Sequence, residues 1–353
     1  MIDETSSRLL RKTFRTFKKP QNGQPFGQAA AALFLLVIAL AFFFPPPLSA
    51  QAEAISLKIG TLPIADSVSL HIAQRRFFRQ NGLEVELIPF QSGMEKDAAV
   101  LSGAVDGHFC EIGSVILQRS MGLPFMVVAT SSHTDKTKRN FGLVTRPGSP
   151  YKTAAELKGQ SVAVSNLYIV DFLTEAILAE LGFPLDHLAR QDIKKIPVRY
   201  QMLVAGRIES ALFPEPLLTM AEREGGTVLA DDTILDMPLA AVALRADLDR
   251  SVIEAFRTSL AQAVAYINDN PDETRRLMAE LKLIPPALGD DYELPPFNPE
   301  LLPWRLPSRE LFDAYVDFFI RRDALVPAGT GRAGGPREAP AFEDVVYQPT
   351  PAQ

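Results

Sequence analysis

Apolar and polar residues alternate along the chain from residue 55 onwards in the patterns that are typical of strands and helices. Residues 55–59 and 83–87 alternate with period two, which predicts two strands. Between them Leu70, Ala73 and Phe77 are spaced by three and four residues, which predicts one apolar face of a helix. Together the three elements predict a β-α-β unit.

The same order of elements recurs further along the chain. Strands are expected at 105–109, 125–130, 141–145 and 161–165, and helices at 95–102 and 173–181. Residues 101–107 and 204–210 repeat one pattern of a helix end, a glycine and the entry to a strand. We therefore expect an α/β protein with two similar lobes, each a mostly parallel sheet flanked by helices.

The C-terminal third departs from this alternation. Long helices are expected at 248–269 and 309–322, and the seven prolines of residues 284–307 between them predict a packed, irregular loop. Glycine, proline and alanine dominate residues 327–353, so we expect this tail to be largely disordered, with a short docked segment at 342–347.

The first 52 residues have the organisation of an export signal. A basic stretch precedes sixteen consecutive apolar residues, 29–44, and small residues around Ala50 and Ala52 follow. Cleavage fits after either alanine. A retained membrane anchor is disfavoured, because sixteen residues fall short of the roughly 20 that span a bilayer. We expect a protein released outside the inner membrane, in the periplasm.

Composition and charge exclude several classes of protein. Hydrophobic residues make up 47% of the 353 residues, which excludes a disordered chain. The net charge is −6, and six basic residues lie in the first 28 positions, so the remainder is acidic and nucleic acid is not an expected partner. With Cys110 as the single cysteine and no histidine pair at ligand spacing, we expect no metal and no cofactor.

Ligands of open α/β sheets bind beyond the carboxyl ends of the strands, where helix N-termini and free backbone amides gather. The loops at these ends supply eleven candidate ligand-binding residues: Asp66, Ser67, Ser92, Glu95, Glu111, Ser165, Asn166, Tyr168, Asp171, Arg199 and Glu215. Several of them stand at expected helix starts, where capping of the helix is the alternative role.

Two of these loops have features of their own. In the first, residues 165–168, a strand leads into a helix, so the backbone amides of the loop and the Ser165 hydroxyl can bind an anion or a carbonyl group. Tyr168 adds a flat apolar ring that ends in a polar hydroxyl. In the second, Pro214 and Pro216 fix the backbone on both sides of Glu215.

Candidate groups for catalysis are few. His108 and Cys110 are two residues apart on an expected strand and so share one face, as a Cys–His pair would. An attacking thiolate needs partial exposure and an electropositive setting, so we interpret both as packed core residues. We expect no enzymatic activity.

Several short segments of the sequence resemble those of one known group of proteins. They are Lys58-Ile59-Gly60 with Pro63, residues 78–86 (FRQNGLEVE), 101–106 (LSGAVD), 155–164 (AELKGQSVAV) and Pro214-Glu215-Pro216. In their order and spacing these segments resemble the SsuA-like, thiamine-pyrimidine-synthase-like group, and the resemblance covers residues 55–325. Most of its members are substrate-binding proteins of ABC importers for nitrate, sulfonates, taurine or thiamine pyrimidines.

The resemblance implies the fold of a type 2 periplasmic binding protein, in which two lobes close on a solute and deliver it to a permease and its ATPase. The chain then crosses between lobes near 146–152 and near 238–245. Lobe one would comprise 55–150 and 242–326, and lobe two 151–241. We expect a monomer.

Two other functions are alternatives, and the first of them, an enzyme, is rejected. The same superfamily contains the fungal pyrimidine synthase, but that enzyme relies on a cysteine-rich motif and lacks an export signal. A ligand sensor for a membrane receptor would use the same two-lobed structure, and neighbouring permease and ATPase genes would distinguish the two roles.

The charge of the ligand is predicted from the candidate loops. They hold five acids and one base, Arg199, which favours a neutral or cationic ligand such as an amine or an aminopyrimidine. The alternative is a sulfonate or nitrate anion bound by Ser165, Asn166 and Arg199.

Overall fold

Two five-stranded sheets with flanking helices organise the chain. The computed structural model describes residues 54–288, 292–294, 296–331 and 335–349. The strands are β1 (Ile55–Thr61), β2 (Leu83–Pro89), β3 (Gly107–Cys110), β4 (Phe125–His133), β5 (Phe141–Thr145), β6 (Ser161–Val164), β7 (Ala189–Asp192), β8 (Ser210–Pro214), β9 (Val228–Asp231), β10 (Pro238–Arg245), β11 (Leu325–Val326) and β12 (Arg337–Glu338). The α-helices are α1 (Val68–Arg76), α2 (Gly93–Leu101), α3 (Ile112–Ser120), α4 (Ile169–Glu180), α5 (Ile196–Val204), α6 (Leu217–Arg223), α7 (Arg250–Asp269), α8 (Pro271–Glu280), α9 (Arg309–Arg321) and α10 (Phe342–Val345).

The two sheets follow one plan. The first has the strand order β2-β1-β3-β10-β4 and the second the order β7-β6-β8-β5-β9. In the first sheet β10 is antiparallel to both of its neighbours, and in the second β5 is antiparallel to both of its neighbours. The remaining pairs are parallel. Four strands of each sheet therefore run in one direction and one runs in the other.

Each reversed strand is the first strand after the chain passes between the sheets. β4 ends at His133 and β5 begins at Phe141, while β9 ends at Asp231 and β10 begins at Pro238. Because each passage is so short, the next strand begins at the end of its sheet that faces the sheet from which the chain has come. The other strands of that sheet have their carboxyl ends there, so the new strand is antiparallel to them.

Both passages come earlier than the sequence suggested. β5, expected in lobe one, pairs with β8 and β9 of the second sheet, and all of β10 lies in the first sheet. Both strands are almost entirely buried. A strand that is apolar on both faces has the same pattern in either sheet, so the sequence did not show to which sheet it belongs.

The two passages are hydrogen-bonded to each other. The amide of Thr134 donates to the carbonyl oxygen of Met237 at 3.0 Å. Asp232 Oδ1 accepts from the amides of Asn140 and Phe141 at 2.8 and 3.0 Å. Asp232 is completely buried, and burial raises the pKa of its carboxyl to about 7. The sheets are thus joined by one bonded pair of segments rather than by two separate linkers.

The C-terminal tail packs on the edge of the first sheet. Val346 forms a parallel bridge with Val127 of β4, and the amide of Tyr347 donates to the Val127 carbonyl at 2.9 Å. The Tyr347 hydroxyl donates to Glu254 of α7 at 2.7 Å. The expected docked segment at 342–347 is therefore present. An edge strand with unpaired backbone groups provides the partner that composition does not reveal.

The expected export signal, residues 1–52, lies outside the described residues. Within the described residues, no helix is long and apolar enough to cross a membrane.

Candidate ligand-binding cleft

A cavity of about 710 Å³ lies where strand ends of the two sheets face each other. The first sheet contributes residues that follow β1 and β3 and the start of α2. The second contributes Ser165 after β6, Pro214 at the end of β8, and the starts of α4 and α5. We call this space the inner cavity. Its position is the one that open α/β sheets offer to ligands, because the strand ends bring free amides and helix N-termini together.

Five of the eleven candidate residues line the inner cavity: Asp66, Glu111, Ser165, Tyr168 and Arg199. They come from both sheets and are separated by up to 133 positions in the chain. The other six candidates, Ser67, Ser92, Glu95, Asn166, Asp171 and Glu215, are not part of its wall.

Asp66 is a buried carboxyl at the first-sheet side of the cavity. Its Oδ2 accepts a hydrogen bond from Ser132 at 2.6 Å, and its backbone carbonyl accepts one from Ser131 at 2.9 Å. Burial raises the pKa of this carboxyl to about 6, although the Ser132 bond acts in the opposite direction. Asp66 therefore changes protonation close to neutral pH, unlike an exposed aspartate.

Glu111 lies at the N-terminus of α3 beside a buried lysine. Its Oε1 accepts a bond from the Ser114 hydroxyl at 2.8 Å, and burial raises its pKa while the charge of Lys96 lowers it. Lys96, which the sequence analysis missed, is 2% exposed and lines the cavity. Its position four residues before the buried Val100 placed it on the apolar face of α2, a signal that could have identified it.

Lys96 is held by two partners inside the first lobe. Its ammonium donates to Asp97 Oδ1 at 2.7 Å and to His108 Nδ1 at 2.9 Å. His108 then donates from Nε2 to Gln118 at 3.0 Å. Burial, with the nearby Lys96 charge, lowers the His108 pKa well below its usual value, so this histidine is neutral.

Arg199 is a buried cation without a carboxylate partner among the described residues. It is 1% exposed, and one of its nitrogens donates to the Ile193 carbonyl at 2.9 Å. Its Nε has no hydrogen-bond partner, and its guanidinium lies 5.3 Å from the centre of the Phe213 ring. Burial lowers its pKa to about 10, so the side chain is charged at neutral pH. Buried unpaired donors are costly, so Arg199 retains a hydrogen-bonding capacity that its own chain does not use.

Tyr168 joins the two sides of the cleft. It stands at the start of α4, on the second sheet, and its hydroxyl donates to Asp97 Oδ2 of α2 at 2.7 Å. Its ring packs so closely on Gly93 that a Cβ at that position would lie 2.7 Å from a ring carbon. Tyr168 is thus both a wall of the cavity and a contact between the lobes.

Three candidates next to α1 and α2 are engaged locally. The Ser67 hydroxyl donates to the Ile64 carbonyl at 2.8 Å. Ser92 caps α2 by accepting from the Glu95 amide at 3.2 Å, and the Glu95 carboxylate accepts from the Gln91 amide at 3.1 Å. Ser92 thus has the capping role that the sequence left as an alternative, whereas the Ser67 side chain makes no capping bond to α1.

Asn166 and Asp171 also lie outside the cavity wall. Asn166 is exposed, and its amide donates to Asp192 at 3.0 Å. Asp171 is fully buried and forms ion pairs with Arg190 and with Arg322, which follows α9, at 3.4 and 2.9 Å. Asp171 therefore links α4 to the end of α9.

Glu215 is held by its own partners beside the cleft. Its Oε1 accepts from Arg139 Nε and from the Thr219 hydroxyl, both at 3.0 Å, and its Oε2 accepts from the Thr219 amide at 3.2 Å. It lies in the walls of two neighbouring cavities and not of the inner one.

The charge balance of the inner cavity differs from that of the candidate loops. Two acids, Asp66 and Glu111, and three bases, Lys96, Lys194 and Arg199, line it. The candidate loops hold five acids and one base, but the position of a residue in a loop does not show whether its side chain is already paired within the protein. The count in the loops therefore differs from the charges that line the cavity.

Cys110 and His108 do not form a reactive pair. Cys110 is buried, and burial raises its thiol pKa. His108 bonds to Lys96 and Gln118 instead, and within the described part of the chain it makes no bond to Cys110. In the same described part, no three potential ligands from histidine, cysteine, aspartate and glutamate gather at one point where they could hold a metal ion.

The sequence matches one known protein family over most of the two sheets. The profile of the family described as NMT1/THI5 like matches residues 66–274, which is more than half of the chain and contains every candidate residue. The chain belongs to the NMT1/THI5-like family. The resemblance to the SsuA-like, thiamine-pyrimidine-synthase-like group is thereby confirmed.

Two relatives with curated names match over most of the fold. A Haemophilus influenzae protein named for thiamine biosynthesis is 24% identical over 266 residues, covering 70% of this chain and 79% of its own length. A Brachyspira hyodysenteriae protein named as an ABC transporter periplasmic binding protein is 23% identical, covering 62% of this chain and 64% of its own length.

Solved structures share the architecture. The alkanesulfonate-binding protein SsuA of Xanthomonas axonopodis, bound to MOPS, has a TM-score of 0.63 at 16% identity, over 77% of this chain and 94% of its own. SsuA of Escherichia coli has a TM-score of 0.61 at 18% identity, over 76% and 92%. The nitrate-binding protein NrtA of Synechocystis has a TM-score of 0.57 at 18% identity, over 79% and 84%. The two-lobed α/β architecture expected from the sequence is confirmed.

Proposed function

We propose that this protein is the extracytoplasmic solute-binding component of an ABC importer. It binds a small polar molecule between its two lobes and delivers it to a permease and its ATPase. The observation that carries the proposal is the inner cavity, where buried Asp66, Glu111, Lys96 and Arg199 converge from both sheets. Membership of the NMT1/THI5-like family and the name of the Brachyspira relative support it.

Closure of the lobes provides the mechanism. The bonded pair of passages around Thr134 and Asp232 acts as the hinge, and the Tyr168–Asp97 bond closes the opposite side. A solute in the cavity touches both lobes, so it stabilises the closed form by its differential affinity for that form. The permease then distinguishes the loaded protein from the empty one by its shape.

The protein acts without catalysis. A pyrimidine synthase of the same superfamily needs reactive groups in the cavity, and Cys110 with its raised thiol pKa is unsuited to nucleophilic attack. Delivery to a permease also requires a location outside the inner membrane. The apolar stretch 29–44, with its basic flank and small-residue cleavage sites, supports export to the periplasm.

The first ligand class we propose is an amine or aminopyrimidine. The carboxyls of Asp66 and Glu111 lie in the cavity wall and can accept from an exocyclic amine or a protonated ring nitrogen. The name of the Haemophilus relative supports a thiamine-related pyrimidine.

A second class, a sulfonate-like or nitrate-like anion, is supported by a separate observation. The Nε of Arg199 is buried and unpartnered, and the guanidinium fork pairs with anions that present two oxygens to it. Ser165, whose hydroxyl makes no hydrogen bond within the described residues, lies in the same wall.

A thermal-shift screen with thiamine pyrimidines, amines, amino acids, taurine, alkanesulfonates and nitrate tests the function and the ligand class together. A ligand at about 100 times its Kd stabilises the folded state by about 2.7 kcal/mol, a shift of several degrees for a chain of this size. Small-angle scattering with the hit should show a smaller radius of gyration than without it. Stabilisation by none of the six classes contradicts the proposal, and stabilisation by anions alone retains the transport role but overturns the amine assignment.

A further inference from the structure

A second cavity of about 840 Å³ adjoins the inner one and shares Ile64, Ile196 and Pro214 with it. We call it the outer compartment, because wall residues such as Pro197 and Gln201 are exposed, whereas most of the inner wall is buried. Loops of both sheets and the segment after α8 form it. The two spaces therefore adjoin and share part of their walls.

The wall of the outer compartment differs chemically from that of the inner cavity. Nine of its fourteen residues are proline, isoleucine or leucine, and five of these are prolines. Proline has no amide hydrogen, so these wall positions cannot donate backbone hydrogen bonds to a polar ligand. Tyr200 adds an aromatic ring, and the one carboxylate, Glu215, is already bonded to Arg139 and Thr219. Such a wall suits an apolar group.

From this arrangement we infer that the solute is elongated, with a polar head in the inner cavity and an apolar chain or ring in the outer compartment. This inference rests on the proposed function and extends it to the class of substrate. An apolar group at this position touches Pro63 of the first lobe and Leu217 of the second. Its burial therefore adds to the affinity and favours closure, at about fourfold in Kd per buried methylene.

The test uses three probe series with alkyl chains of one to six carbons: n-alkylamines, n-alkanesulfonates and 5-alkyl-4-aminopyrimidines. Calorimetry gives Kd for each member with the wild-type protein. In the series whose polar head group binds in the inner cavity, we expect Kd to fall about three- to fourfold for each added carbon over several carbons.

Two variants fill the outer compartment without changing the inner wall. Leu217 and Gln201 line only the outer space, and Gln201 is exposed, so Gln201→Trp serves if Leu217→Trp does not fold. In either variant the dependence on chain length should flatten, while Kd for the shortest member stays within twofold. Gln201→Ala, which fills nothing, is the matched control and should keep the dependence.

The outcomes separate this inference from the proposed function. Binding that does not depend on chain length, or a chain-length dependence that is unchanged in both tryptophan variants, overturns the elongated solute and leaves the solute-binding role intact. If no member of any series binds, the elongated solute is overturned, and the proposed function fails with it only if none of the six classes in the thermal-shift screen binds either.

Discussion

The hydroxyl of Tyr168 donates to Asp97 Oδ2 at 2.7 Å, and this bond joins the N-cap residue of α4 in one lobe to α2 in the other. Asp97 uses its second oxygen to accept from Lys96, which lines the ligand cavity. The contact between the lobes and the cavity wall therefore share one carboxylate.

Replacing Tyr168 by phenylalanine should favour the open form. The ring and its contact with Gly93 are retained, but the hydrogen bond to a charged acceptor is lost, which costs about 1.5–3 kcal/mol. We expect a larger radius of gyration by small-angle scattering and about 10- to 100-fold weaker binding of a hit from the screen. Tyr151→Phe is the control, because the Tyr151 hydroxyl makes no hydrogen bond within the described residues. An unchanged radius and Kd in Tyr168→Phe would show that this bond does not contribute to closure.

Arg199→Met should separate ligand binding from stability. The arginine is buried without a carboxylate partner, so an apolar side chain of similar volume is expected to leave the free energy of unfolding unchanged or to raise it. If the ligand accepts hydrogen bonds from Arg199, its affinity should fall at least tenfold. Urea unfolding and calorimetry measure the two quantities, with the exposed Arg207→Met as control. Wild-type affinity in Arg199→Met would remove this residue from the binding site.

Asp66 should make stability depend on pH. The folded-state pKa is raised to about 6 from an ordinary value of 3.8, so the folded protein binds the proton more tightly than the unfolded chain. The stabilisation from this proton is complete below pH 4 and is lost as the pH rises to 6, by an amount of about 2–3 kcal/mol.

Asp66→Asn tests this dependence, because asparagine keeps an acceptor for the Ser132 hydroxyl. Relative to the wild type, the variant should gain stability between pH 4 and pH 7 in urea unfolding experiments. The exposed Asp186→Asn is the control and should show a constant difference. A constant difference in Asp66→Asn as well would mean that burial does not perturb this carboxyl.

The docked tail should contribute to the stability of the first lobe. Tyr347 is 6% exposed, packs on Arg257 and bonds to Glu254, so Tyr347→Ala should lower the free energy of unfolding by about 3 kcal/mol. Tyr347→Phe loses only the hydroxyl bond and should cost about 1 kcal/mol. Equal stability of both variants and the wild type, measured in urea, would indicate that the tail does not hold its place in solution.

The periodicity of apolar residues determined the strands, helices and overall class of this protein. Segments such as 55–59 and 83–87 have period two because one strand face is buried, and that property is local. The loops at strand ends could likewise be nominated from the sequence, since every strand of a given direction ends at the same edge of its sheet. That reasoning found Asp66, Tyr168 and Arg199, which line the cavity.

The tertiary structure alone decided which side chains are free to act. Asp171 meets Arg322 across 151 positions, Glu215 meets Arg139 across 76, and Tyr168 meets Asp97 across 71. These partners depend on how the sheets and helices pack, which no local pattern contains. Whether a carboxylate is neutralised by its own chain, and hence the charge that the cleft presents to a solute, was therefore fixed only by the fold.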